Sequence, residues 1–233
     1  MKRLLMMLCA LMMSYVATAQ DVAIMTSGGP IELPGGCRQV VVVENSSTTN
    51  AQVYLLTLSD DSSWSGSSMS GVIGYGGLAD VGTKREGDGK TPVGVFALRR
   101  GLCYVKDFTT SFPMELYNEE YMWDENPQRA TYNTLVRNPE PGTDGDRLWA
   151  RRELQYRYIV VVEYNTSPVV SGMGSAIFIH AWRAEGKPTA GCVGMSESNM
   201  KRLVEWLKPE LNPHIAIMDK GVSLKTDISQ NNE

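Results

Sequence analysis

The residues in this sequence best suited to chemistry are His180 and Cys192, which stand twelve positions apart. An apolar run at 176–179 ends in His180, and a turn-rich segment at 185–188 leads on to Cys192. A cysteine is a strong nucleophile only as its thiolate, and an imidazole within hydrogen-bond reach promotes that form by taking the proton. We therefore expect the connection to fold back, with Cys192 as nucleophile and His180 as general base.

The residues around this pair favour an oxyanion hole. Gly191 directly precedes Cys192, and a predicted helix follows closely. A glycine leaves backbone N–H groups accessible, and a helix N-terminus adds positive potential. We expect the amides of Gly191 and Cys192 to be the donors. Because the neighbouring sequence offers no obvious acid, the carbonyl of Ala181 is the candidate that fixes the imidazole tautomer.

The same residue types also have a structural interpretation. A lone cysteine is often a small buried apolar residue, and a lone histidine is often a structural one. The other histidine, His214, follows Pro213 at the start of a late apolar run and has no cysteine near it in sequence. We expect His214 to be structural.

Three of the four cysteines lie after residue 19, the end of a predicted signal peptide described below: Cys37, Cys103 and Cys192. An odd number leaves at least one thiol unpaired within the chain. We expect Cys37 and Cys103 to be either bonded to each other or buried, and the sequence does not decide between the two. With no C-x-x-C motif and two histidines, neither a metal site nor a cofactor is expected.

The elements that must position these residues are mainly β-strands, because short apolar runs alternate with Gly- and Ser-rich segments. Strands are predicted at 39–44, 53–58, 156–164, 176–180 and 215–218, and turns at 59–71, 82–92 and 138–146. A helix with Ser196 as N-cap is predicted at 197–208, and a weaker one at 118–123. The expected fold is a mainly β sandwich with one helix following Cys192 and minor helical segments.

The N-terminus has the pattern of a secretory signal peptide at 1–19. Lys2 and Arg3 precede an apolar run at 4–13, and small residues stand at Ala17 and Ala19. The run is shorter than the roughly 20 residues of a membrane-spanning helix, so we expect cleavage after Ala19 and no span in the mature protein. We divide the rest into an N-terminal segment at 20–38, a catalytic domain at 39–220 and a polar tail at 221–233.

The charge of the chain argues against one class of partner. Removal of Lys2 and Arg3 takes the formal net charge from −4 to −6. Binding to phosphate backbones needs a concentrated basic patch, and the sequence has no dense Lys/Arg stripe. We do not expect a nucleic-acid partner.

Two motifs far apart in the chain resemble those of the YkuD-type L,D-transpeptidases. Residues 177–180 (Ile-Phe-Ile-His) followed by 188–193 (Pro-Thr-Ala-Gly-Cys-Val) are similar to the family's histidine and Ser/Thr-x-Gly-Cys signature. Residues 84–96, which contain Thr-Pro-Val-Gly-Val-Phe, are similar to its Thr-Pro-x-Gly-x-Phe strand and to the longer form in the ErfK/YbiS-like branch. A softer match covers 123–125 and 132–133. Two ordered motifs together are a specific signal.

The resemblance implies an acyltransferase of the cell wall, located in the periplasm or on the wall. Its substrates would be peptidoglycan stem peptides, as donor and as acceptor. Carried over onto this chain, Cys192 is the nucleophile, His180 the general acid and base, and the amides of Gly191 and Cys192 the oxyanion hole. The reaction implied is a two-step transfer through a Cys192 thioester.

The chain departs from the family pattern beside the cysteine. Many members have histidine where this chain has Ala190 and arginine where it has Gly194. Arg183, Thr189 and Ala190 are candidate substrate-binding residues, with Arg183 as a replacement for the missing arginine. A solvated loop position is the alternative for Arg183.

Two other functions stay open at this point. One is an L,D-carboxypeptidase, which transfers the acyl group to water. The other is a catalytically inert wall-binding module, which the presence of both His180 and Cys192 disfavours. Neither the acyl acceptor nor the oligomeric state follows from the sequence.

Overall fold

The computed structural model describes residues 24–26, 29–153, 155–219 and 228–230, with the backbone alone for 24–26, 29–30 and 228–230. The predicted signal peptide at 1–19 and most of the predicted tail at 221–233 lie outside the described residues. Within the described part, no helix is long and apolar enough to cross a membrane.

The described residues form mostly strands. These are β1 (Ile24–Thr26), β2 (Gly29–Ile31), β3 (Gln39–Asn45), β4 (Asn50–Leu58), β5 (Trp64–Val72), β6 (Leu78–Ala79), β7 (Thr91–Pro92), β8 (Gly94–Cys103), β9 (Met114–Leu116), β10 (Tyr121–Asp124), β11 (Thr134–Arg137), β12 (Tyr158–Val162), β13 (Phe178–Ala181), β14 (Val193–Met195), β15 (His214–Met218) and β16 (Ile228–Gln230). The helices are α1 (Glu197–Trp206) and two 3-10 helices, Leu148–Arg151 and Pro209–Leu211.

Eight of these strands form a closed, barrel-like sheet. Their order is β12, β13, β14, β5, β4, β3, β15 and β8, and β8 pairs with β12 to close the ring. β9 pairs with β8 outside the ring, and β16 pairs with β5. The predicted mainly β class with a single α-helix after Cys192 is confirmed, and the closure of the sheet is a feature that the sequence did not indicate.

Helix α1 begins at the position predicted from its N-cap, Ser196, and from its apolar face. The backbone N–H of Asn199 donates to Ser196 Oγ at 3.2 Å, which satisfies one of the free donors of the first turn. Met200, Leu203 and Val204 are fully buried and pack on the same cluster as β12 and β13. The helix ends at Trp206, two residues before the predicted end.

The two faces of β12 and β13 have different coverings, because side chains alternate along a strand. On β12, Tyr158, Val160 and Val162 belong to the cluster that contains the helix, whereas Ile159 and Val161 belong to a second cluster. The second cluster also contains residues of the long excursion 104–157 between β8 and β12. This excursion therefore covers the face of the sheet on which the predicted site lies.

Two predictions of local structure are wrong. The segment 59–71 was predicted as turns because of its serines and glycines, but it forms a turn only at 59–63. Residues 64–71 belong to β5, which pairs with β4 over nine residues. A side chain at Gly66 would meet the Leu55 carbonyl oxygen at 1.8 Å, so glycine here marks a close backbone approach. The weak helix at 118–123 is wrong because β10 begins at Tyr121 and pairs with β11.

We predict that Gly66→Ala lowers the free energy of unfolding by about 1–3 kcal/mol, because the added methyl group overlaps with the β4 backbone. Urea denaturation measures this change. Gly35→Ala is the matched control, since nothing lies within 4 Å of the position its methyl group would take. Equal stability of the two variants would contradict the packing described for β5.

Candidate active site

The predicted base lies on β13, and the predicted nucleophile lies directly before the start of the neighbouring parallel strand, β14. β13 pairs with β14 in the register Ile179 to Val193 and His180 to Gly194. Cys192 directly precedes β14 and lies beside Phe178, whose backbone N–H approaches Sγ at 3.4 Å. Phe178 and His180 point to the same face of β13 because they are two residues apart. The connection thus folds back as predicted, and the two side chains share one face of the sheet.

The imidazole of His180 is oriented by a backbone carbonyl. Nδ1 lies 2.7 Å from the carbonyl oxygen of Ala181, the candidate that sequence reasoning named. A carbonyl only accepts, so Nδ1 carries the hydrogen and Nε2 has the free lone pair. The ring of Tyr156 packs edge-on against the imidazole, with 5.1 Å between ring centroids. Burial lowers the pKa of His180 to about 4, which leaves Nε2 neutral and able to accept a proton at pH 7.

The thiol of Cys192 is protonated at rest. It donates to the carbonyl oxygen of Ala176 at 3.1 Å and is 8% exposed. Burial raises the pKa of Cys192 to about 12, and the charges of Asp146 and Glu125 act in the same direction. The amide of Phe178 and the charge of Lys84 lower that pKa. The lowered pKa of His180 and the raised pKa of Cys192 favour the neutral form of both groups, and no direct hydrogen bond joins them in this structure.

The two motifs of the sequence meet at the backbone of Cys192. Thr189 Oγ1 donates to the Cys192 carbonyl oxygen at 2.6 Å, and Thr91 Oγ1 donates to the same oxygen at 3.5 Å. Thr91 Oγ1 in turn accepts from the amide of Gly74 at 2.8 Å. The Thr-Pro motif therefore supports the cysteine loop, a contact that sequence reasoning did not identify.

Gly191 is required by the backbone. Its φ is +141°, and a Cβ at this position would lie 2.9 Å from the carbonyl oxygen of Lys90. Its amide, one of the two predicted oxyanion donors, donates to Thr189 Oγ1 at 3.2 Å in this structure. To serve an oxyanion, this amide would exchange its bond to Thr189.

The helix begins at Glu197 with Ser196 as its cap, as predicted, but the expectation that its N-terminus adds positive potential at Cys192 does not hold. β14 separates Cys192 from Ser196 by an extended stretch of about 13 Å, taking 3.3 Å per residue. The field of a helix terminus falls off within its first turn. The potential at the thiol is therefore set by side-chain charges and backbone amides.

The candidate substrate-binding residues occupy different environments. Arg183 and Ala190 are exposed in the connection between β13 and β14. Thr189 is buried, and its hydroxyl is engaged by Gly191 and Cys192. Their binding roles stay predictions.

The remaining histidine and cysteines lie away from this site. His214, in β15, has its Nδ1 2.8 Å from the carbonyl oxygen of Asn212. Cys37 and Cys103 are free and buried, so the buried alternative, and not a disulfide, describes them. Among the described residues no group of three or more His, Cys, Asp and Glu side chains could hold a metal ion.

The charged turn at 84–90 has an internal structure that the sequence did not specify. Lys84, with 5% of its side chain exposed, donates to Asp88 Oδ1 at 2.7 Å and to the carbonyl oxygen of Arg85 at 2.8 Å. Glu86 Oε2 accepts from Ser175 Oγ at 2.7 Å and from the hydroxyl of Tyr132. Mixed charges with glycines describe any solvated turn, so the sequence carried no signal for these contacts.

Fold and site together define a closed β-barrel domain with a buried cysteine and histidine on adjacent strands, an arrangement suited to acyl transfer. The chain matches the YkuD family, the L,D-transpeptidase catalytic domain, over residues 40–217, and it belongs to that family. Comparison with curated proteins and with solved structures finds no match. Family membership supports an L,D-transpeptidase-type catalytic function on peptidoglycan, while assignment to the ErfK/YbiS-like branch stays a prediction.

We predict a pH-dependent contribution of His180 to stability. Its pKa is lowered from 6.5 to about 4, so between these values the unfolded chain binds a proton that the folded chain does not. Stability from this residue is therefore lost as the pH falls from 6.5 to 4, by about 3 kcal/mol at about 1.4 kcal/mol per pH unit. Glu125, whose pKa is raised to about 7, acts in the opposite direction, so a comparison with a variant is needed.

The matched variant is His180→Gln, which does not titrate. Urea denaturation at pH 7 and pH 4 should show that the stability advantage of the wild-type protein over this variant shrinks by about 3 kcal/mol at the lower pH. An advantage that is independent of pH would show that His180 is not buried in its neutral form.

Proposed function

We propose that this protein is an exported L,D-transpeptidase that acts through a Cys192 thioester, with His180 as general acid and base. The observation that carries the proposal is the placement of Cys192 and His180 on one face of two adjacent parallel strands, with His180 Nδ1 anchored to Ala181. This anchoring directs the basic Nε2 away from the backbone. The signal-peptide pattern at 1–19 supports a location in the periplasm or at the cell wall.

The first step forms the thioester. His180 Nε2 accepts the proton of the Cys192 thiol as the sulfur attacks the carbonyl carbon of the third residue, at its L-centre, in a stem tetrapeptide. Backbone N–H groups at Gly191 and Cys192 stabilise the tetrahedral oxyanion. The intermediate collapses as the C–N bond breaks, and the departing amine of the terminal D-alanine takes the proton from His180.

The second step transfers the acyl group. An amine of a second stem peptide attacks the thioester carbonyl while His180 accepts a proton from the amine. The C–S bond breaks, and the sulfur is reprotonated by His180. The products are a cross-linked peptide and the original thiol.

The buried site favours transfer to an amine over hydrolysis. Water is abundant at about 55 M, so a transferase must exclude it and hold the acceptor close. Tyr156, Trp123 and Phe178 are buried and enclose the region of Cys192 and His180. The competing function is that of an L,D-carboxypeptidase, which would release free tripeptide in place of a cross-linked product.

We predict that Cys192→Ala abolishes turnover of stem tetrapeptides and that His180→Ala lowers kcat by about 10²–10⁴-fold, the usual loss for a general base. Mass spectrometry of reactions with a defined tetrapeptide and an amine acceptor should show cross-linked product in excess over free tripeptide. Cys37→Ala is the matched control, because Cys37 belongs to a different core cluster, and it should keep normal turnover.

Two results would contradict parts of this mechanism. Turnover in the Cys192→Ala protein would show that the reaction does not pass through a Cys192 thioester. If free tripeptide is the sole product at a saturating concentration of amine, the protein is an L,D-carboxypeptidase and not a transpeptidase. That result would not contradict the roles of Cys192 and His180.

A further inference from the structure

Two carboxylates approach Cys192 from the excursion that covers it. Asp146 pairs with Trp123 through two backbone hydrogen bonds of 2.9 Å, and the Trp123 indole packs on Phe178 with 4.9 Å between ring centroids. Glu125 directly follows β10, two residues after Trp123. The charges of both carboxylates act on the Cys192 thiol. The mechanism above uses neither of them.

Asp146 has an acceptor atom without a donor. Its Oδ2 accepts from the Tyr156 hydroxyl at 2.8 Å and lies 3.5 Å from Arg151 Nη1. Its Oδ1 is buried and has no hydrogen-bond partner among the described residues. Only 5% of the side chain is exposed. A buried carboxylate oxygen left without a donor is costly, so this atom points to a donor that a ligand supplies.

Glu125 is in a similar position. It is half-buried, and no described residue donates a hydrogen bond to its carboxylate. Burial and the neighbouring charges of Asp146, Glu86 and Asp124 raise its pKa to about 7, and only Arg151 acts in the opposite direction. The Arg151 side chain is 55% exposed and lies on the Oδ2 side of Asp146. A cation between Glu125 and Asp146 would satisfy both carboxylates.

We propose that Glu125 and Asp146 form a subsite for a primary ammonium group of the substrate, beside the Cys192 thiol. An ammonium group has three N–H donors and no acceptor, which matches two carboxylates with free acceptor atoms. When the ammonium belongs to the donor peptide, its positive charge also offsets the two negative charges that disfavour the thiolate, so donor binding prepares the nucleophile. The inference rests on the proposed function, because it names the group by which that site recognises its peptide.

The ammonium group has two sources with the same chemistry. One is the side chain of the third residue of the donor peptide. The other is the amine of the acceptor, which would bind as an ammonium and give one proton to the Glu125 carboxylate before the neutral amine attacks the thioester. Glu125→Gln tests both, because it keeps the shape of the side chain and removes its charge without breaking any hydrogen bond within the described structure. Glu119→Gln is the control, since Glu119 is an exposed carboxylate that precedes the same hairpin.

The donor is tested by binding without turnover. In the Cys192→Ala background, calorimetry compares two tetrapeptides that differ only in carrying lysine or norleucine at the third position. We expect the lysine peptide to bind about 10–100-fold more tightly, the usual value for hydrogen bonds to a charged group. Glu125→Gln should abolish the difference in affinity between the lysine and norleucine peptides, and Glu119→Gln should leave this difference unchanged.

The acceptor is tested by kinetics with Cys192 present. If the ammonium comes from the acceptor, Glu125→Gln should raise the KM for the amine about 10–100-fold and leave the KM for the donor unchanged. Glu119→Gln should change neither. Should no transfer be measurable, the peptide affinities alone decide.

The subsite is overturned if Glu125→Gln changes neither the lysine preference nor the acceptor KM, or if Glu119→Gln changes them equally. Such a result would not affect the proposed function, provided that Cys192→Ala abolishes turnover of stem peptides. A Glu125-dependent lysine preference in a protein that processes no stem peptide would instead keep the subsite and overturn the proposed function.

Discussion

The site depends on the pairing of two short parallel strands, β13 and β14. Each contributes a few residues, yet together they fix where the cysteine and the histidine lie relative to one another. A shift of one residue in a strand turns every side chain to the opposite face, so this register decides whether Cys192 shares a face with His180. The buried side chains at Phe178, Ile179 and Val193 specify the register, because a slip would move them out of their clusters.

The loop that carries Cys192 is fixed by its backbone more than by its side chains. The Cys192 carbonyl is held by Thr189 and Thr91, and Gly191 fits where any Cβ would approach the Lys90 carbonyl. A carbonyl held by hydrogen bonds fixes the orientation of its own peptide plane, here the one between Cys192 and Val193. The Thr-Pro motif thus contributes to the site although it lies about a hundred positions upstream in the chain.

How far the sequence predicted the site follows from the range of each interaction. His180, Cys192, the Ala181 carbonyl and the Ser196 cap are close together in sequence, so local patterns identified them. The histidine and cysteine followed from the chemistry of a thiol near an imidazole and from the resemblance to the family motif, and the helix cap followed from rules for capping. Closure of the barrel joins β8 to β12, and no local pattern encodes that pairing. β5 was missed because its glycines and serines are selected by the close approach of β4, which is a tertiary constraint.

The surroundings of the thiol were the least predictable part, because Glu125, Asp146 and Lys84 come from different segments and act through space. In the folded chain, burial raises the pKa of Cys192 and lowers that of His180, so both groups are neutral at rest. The charges of Asp146 and Glu125 add to the rise at Cys192, and the charge of Lys84 opposes it. Such a pair is stable at rest, since neither group carries a charge in an apolar environment. In the proposed mechanism the thiol becomes reactive when a bound substrate changes the local charge and His180 Nε2 accepts the thiol proton as the sulfur attacks. Control of reactivity by binding would protect the thiol from reagents in solution, because a neutral thiol is a poor nucleophile until its proton is removed.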